Sequence, residues 1–145
     1  MRRFAGIAAL GLALAACKPA APTPDPADAP MAGEFYDEVR NGGDIEADPH
    51  VAHELKNPTS EDQIAEFKAL IPADSPSAID TQSEDSQTTS EGTLTRLSQI
   101  YRYSDRTLLV QTALFKAPSG TEPVIVGFKV SPYDSDSGPA ANASG

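Results

Sequence analysis

The chain of 145 residues has a single cysteine, no tryptophan and two histidines. The lone Cys17 rules out an internal disulfide, and an unpaired cysteine in an exported chain points to an intermolecular bond or a reactive thiol. With no tryptophan, five Phe and four Tyr, the core must be modest, and nothing in the composition suggests a large cofactor. Bases are scarce too: 11 Lys and Arg stand against 21 Asp and Glu, a formal charge of -10. Such a balance argues against a basic surface for nucleic acid phosphates or anionic lipid headgroups and favours solubility. Catalytic signatures are missing as well, with no Ser-His-Asp order and no glycine-rich phosphate loop. The length allows one domain, and a domain of about 100 residues buries a workable core without disulfides or metals.

One long apolar run does exist, and it opens the chain. Arg2 and Arg3 precede the uncharged stretch from Phe4 to Ala16. As a helix that stretch spans about 20 Å, short of the roughly 30 Å hydrocarbon core, so residues 1–16 read as a signal peptide and not as a membrane span. It ends in Leu14-Ala15-Ala16-Cys17. This segment resembles the lipobox of bacterial lipoproteins, in which a branched apolar residue and two small ones precede the cysteine that becomes the first residue. The resemblance implies diacylglycerol on the Cys17 thiol, cleavage before it and acylation of the new amino terminus. A general secretory signal using Ala13-Leu14-Ala15 is the competing reading, and it leaves Cys17 unexplained. Each buried methylene contributes about 0.8 kcal/mol and one acyl chain holds a protein only marginally, so two or three chains on Cys17 make a durable membrane anchor. Lys18 stands where an aspartate would signal inner-membrane retention. The expected location is therefore the outer membrane, facing the periplasm.

Removal of residues 1–16 takes two bases and no acid, which leaves nine bases against 21 acids and a charge of -12. Residues 17–30 then form the lipidated cysteine and a tether with five prolines and no large apolar side chain. In polyproline II geometry such a tether reaches about 40 Å. Residues 31–132 are the expected single domain, and 133–145 a small, polar, disordered tail.

The domain opens with three helical patterns. Met31, Phe35 and Val39 recur at four-residue spacing with Tyr36 beside them, and Asn41-Gly42-Gly43 supplies a stop. Asp48-Pro49 introduces a second, with Val51, Ala52 and Leu55 on one face and Pro58 at its end. A Ser60/Gln63 capping box introduces a third, with Ile64, Phe67, Leu70 and Ile71 as core candidates. The period then changes to two. Val124, Val126, Phe128 and Val130 predict a strand with one apolar face, Arg106 to Lys116 a central strand, and Thr93 to Tyr103 a less cleanly alternating one. From Asp80 to Thr93 there is no apolar side chain. That stretch reads either as a polar edge strand begun at Ala78 and Ile79 or as a loop. Carboxylates on such an edge discourage strand addition by another chain.

The expected class is α+β, three short N-terminal helices packed on a curved antiparallel sheet of about four strands. A cystatin-like arrangement, with one helix across the sheet, is the alternative. Phe35-Tyr36 through Asn41-Gly42-Gly43-Asp44 and the closing Val-Gly-Phe-Lys-Val of Val126 to Val130 resemble the cone-shaped domains of the nuclear-transport-factor-two-like superfamily. Enzymes on such folds work inside the concavity of the sheet. The resemblance makes Tyr36, Tyr101 and Tyr103 the residues that would line a pocket here, although no Asp-His pair accompanies them.

His50 and His53 are spaced to share one side of a helix, where zinc or copper with Asp48 or Glu54 is a weak candidate. No further histidine and no free cysteine completes the set, so two solvent-facing residues are the simpler reading. Asp44, Glu46 and Asp48 are spaced like the start of a calcium loop, but Pro49 and Leu55 occupy the positions of its glycine and bidentate glutamate. The functional expectation is a lipid-anchored envelope domain that binds a partner protein or small apolar ligand, without a cofactor. The alternative is a small cone-fold enzyme acting on a hydrophobic substrate.

Overall fold

The computed structural model describes residues 25–120 and 122–134. Cys17, the stretch read as a signal peptide, most of the stretch read as a tether and the residues beyond Asp134 lie outside them. The first apolar pattern forms helix α1, Asp28–Asn41, which buries Ala32, Phe35, Tyr36 and Val39. It begins inside the stretch read as tether. Pro30 is tolerated there because the first turn of a helix has no acceptor for its amides. At the other end Gly42 takes φ 71°, and the Gly42 and Gly43 amides donate to the carbonyls of Val39 and Glu38 at 3.2 and 2.8 Å. Only glycine adopts this left-handed position without strain.

The second expected helix does not form. Only a 3-10 turn, His53–Leu55, lies between α1 and the next helix. A run held between Pro49 and Pro58 gains too few helical bonds to offset nucleation. The backbone finds other partners. The Asp48 carboxylate accepts from the His50 amide at 2.8 Å, and Val51 forms an isolated parallel bridge with Ile125. Its bonds run from Ile125 N–H to the His50 carbonyl at 2.7 Å and from Ala52 N–H to the Ile125 carbonyl at 2.9 Å.

Helix α2 spans Pro58–Leu70. Its cap is Asn57 and not Ser60: the Asn57 side-chain oxygen accepts from the Ser60 amide at 3.0 Å, with Pro58 opening the helix. Proline suits that position because its missing N–H would have no partner. No α2 residue is fully buried; Ile64, Phe67 and Leu70 pack partly exposed against the core.

Four antiparallel strands follow in the order β1-β2-β3-β4: Ala78–Thr89, Gly92–Arg102, Thr107–Lys116 and Val124–Pro132. The polar stretch is thus a strand and not a loop. Irregularities at Thr81/Ser83 and Ala113/Leu114 interrupt the ladders, and such bulges bend a sheet and sharpen its twist. The register sets Leu97, Tyr101, Leu108, Val110, Thr112 and Phe128 on the face covered by the helices. Tyr36 stacks on Tyr101 with ring centres 4.0 Å apart. Phe128 takes Phe35 of α1 edge-on at 5.0 Å and Phe67 of α2 at 5.9 Å. Each such aromatic pair contributes about 0.5–1.5 kcal/mol beyond area burial. One β4 ring therefore seats both helices. The β1-β2 turn needs Gly92, whose φ is 147° and where a Cβ would strike the Lys116 carbonyl and the Phe115 ring. The class is α+β with two helices. Among the described residues no helix is long and apolar enough to cross a membrane.

Candidate functional site

The spacing of α1 and the register of β2 bring Tyr36, Tyr101 and Tyr103 together. The Tyr36 and Tyr103 hydroxyls are 2.6 Å apart, and all three side chains are buried. Burial, then the Tyr103 hydroxyl, raises the Tyr36 phenol far above its ordinary value; burial likewise raises Tyr101. Both remain neutral phenols at physiological pH, unsuited to removing a proton. The Tyr101 hydroxyl has no partner among the described residues. The trio packs between α1 and the sheet, with the Tyr36 ring on Tyr101 and its hydroxyl on Tyr103.

The histidines do not share a helix. His50 lies in the turn before the Val51 bridge, with Nδ1 3.4 Å from Asp48 and Nε2 3.3 Å from Glu122. His53 opens the 3-10 turn and is exposed. Among the described residues no group of three or more His, Cys, Asp or Glu side chains is arranged to hold a metal. His50 instead edges an acidic recess of about 320 Å³ with Glu34, Glu38, Asp48 and Glu122, over Phe35 and Ile125. Desolvation, a hydrogen bond to Asp48 and the charges of Asp48 and Asp44 push the Glu38 carboxyl up to about 7.

A second recess, of about 330 Å³, lies at the hairpin end of the sheet. Asp28 at the start of α1 enters it almost fully buried, at 2% exposure. Desolvation raises its carboxyl, and a hydrogen bond from Thr95 opposes the shift. At the mouth Lys116 pairs with Asp25 at 2.8 Å, which lowers the Asp25 carboxyl and raises the Lys116 ammonium. Sequence reasoning missed this group, because Asp25 and Asp28 stand among prolines. A third recess, also about 330 Å³, is the more apolar: Val39, Ile45, Leu55 and Ile64 line it between α1, the 3-10 turn and α2.

The least covered element is β1. It pairs only with β2, and nearly all of its residues are exposed. Ile79, 50% exposed, is the one large apolar side chain so open among the described residues. Asp80 bonds to Arg102 at 2.9 Å, and Asp85 stands opposite Arg96 in the ladder. Comparison with family models, curated proteins and solved structures finds no match to this chain.

Proposed function

We propose that this is a lipid-anchored envelope lipoprotein, held at the outer membrane through acyl chains on Cys17, whose domain is a binding module for a partner protein. The anchor rests on the lipobox resemblance. The open edge of β1 carries the binding half: among the described residues, it is a 12-residue length of mostly exposed backbone with no second neighbour, whereas the other outer strand, β4, is bridged at Ile125 by Val51. In this reading the domain is a small relative of the cone-shaped superfamily whose concavity is closed by Tyr36, Tyr101 and Tyr103. The apolar recess under α2 supports a second occupant, a small apolar ligand.

Two experiments test the two halves. An alkyne fatty acid should label the wild type and not Cys17→Ser, and blocking lipoprotein signal peptidase should accumulate the precursor. An unlabelled, freely soluble product contradicts the anchor. A photo-cross-linker at Gln82 of β1 should give in cells one adduct, an envelope protein identified by mass spectrometry, that a cross-linker at Gln63 of α2 does not give. Identical adducts from both positions, or none from Gln82, contradict the binding surface.

A further inference from the structure

Resting on the binding-module reading, we propose that β1 receives an extended, lysine- or arginine-bearing segment of its partner as a fifth strand of the sheet. In an antiparallel ladder every second residue of an edge strand turns its N–H and C=O away from its neighbour. β1 offers such groups over 12 residues, a length of about 40 Å at 3.3 Å per residue. An added strand gains affinity from these bonds and specificity from side chains at alternate positions.

The charge of the edge selects the occupant. Between Pro72 and Thr95 the chain has five carboxylates, Asp74, Asp80, Glu84, Asp85 and Glu91, and no lysine, arginine or histidine. The register puts Asp80 and Asp85 on the uncovered face of the sheet and Glu84 on the helix side. A strand laid beside β1 therefore meets Glu84 on the helix side and, on the other, Asp85 opposite Arg96 and Asp80, whose pair with Arg102 leaves both side chains about half exposed. Glu84 is crowded already: desolvation and the charges of Asp28 and Asp25 raise its carboxyl, and one of its oxygens is buried without a partner among the described residues. A cation alongside relieves that crowding. A second copy of this chain would bring acids against acids, which is the ordinary defence of an open edge. Acidic side chains exclude like-charged strands and admit basic ones, and Ile79 gives such a strand one apolar contact at the start of β1.

The test uses the chain from residue 17 to 145 carrying Cys17→Ser, so that it is soluble, observed by amide NMR. Three extended peptides are compared: alternating lysine and valine, the same with glutamate for lysine, and the lysine form N-methylated on alternate amides. The lysine peptide should shift resonances of residues 78–89 and weaken as salt is raised. N-methylation, which removes the strand bonds, should weaken it about tenfold or more, and the double variant Asp80→Asn, Asp85→Asn about threefold or more. Equal binding of the glutamate peptide, indifference to N-methylation, shifts centred elsewhere or no binding each overturn the proposal. If the peptides fail while the Gln82 cross-link still forms, the basic strand is wrong and the binding module stands. Loss of the cross-link strikes the module itself.

Discussion

The two outer strands of the sheet solve the same problem in opposite ways. β4 has Ile125 bonded on its free side by His50 and Ala52, and Phe128 beneath both helices. β1 has neither a second partner nor a covering element among the described residues, and its side chains are mostly exposed. Apolar alternation makes β4 part of the core, whereas polar and acidic side chains let β1 remain in water. Stability is therefore concentrated on the β4 side of the domain.

Substitutions should reveal this asymmetry, beginning with the largest effect. Ile125→Ala deletes a fully buried β4 side chain and should cost about 2–5 kcal/mol, read as a lower urea midpoint with unchanged slope. Tyr103→Phe removes the partner of the Tyr36 hydroxyl and strands a buried polar group, at about 1–3 kcal/mol in the same assay.

A smaller effect depends on pH. Glu38 holds its proton more tightly folded than unfolded, with its value raised from 4.5 to about 7. Its contribution is therefore fully present below about pH 4.5 and is lost as pH rises through about 7. Glu38→Gln should raise stability by about 1 kcal/mol at alkaline pH, after allowance for the partial exposure of the carboxylate. At acid pH the difference from wild type should vanish, as thermal melts at the two pH values will show. The smallest effect belongs to β1, where Ile79→Ser or Asp85→Asn should change stability by less than about 0.5 kcal/mol. A loss of more than about 2 kcal/mol there would erase the contrast between the edges.

The same asymmetry explains what the sequence disclosed. Helix α1 and its stop were legible because Phe35, Tyr36 and Val39 bury one face and Gly42 ends it. β3 and β4 were legible from their apolar patterns. β1 was ambiguous because neither of its faces is deeply buried, so no alternation was imposed on it. Residues 48–55 misled because Val51 and Leu55 suit a helical face equally well, and the decision was made by Ile125, more than 70 residues away. The resemblance groups the three tyrosines, and the structure brings them into contact through the Tyr36–Tyr103 hydroxyls and the Tyr36–Tyr101 stack. Asp28 escaped notice because a buried carboxylate at a helix start has the same local sequence as a solvated one.

Amide hydrogen exchange of residues 17–145 carrying Cys17→Ser, free of any partner, tests the contrast between the two edges most directly. Alternate amides of residues 78–89 should exchange at nearly unprotected rates, while Ile125 and its β4 neighbours hold protection close to that of global unfolding. Unbroken protection along β1 in the free chain would mean that its edge is already occupied, and would contradict the account.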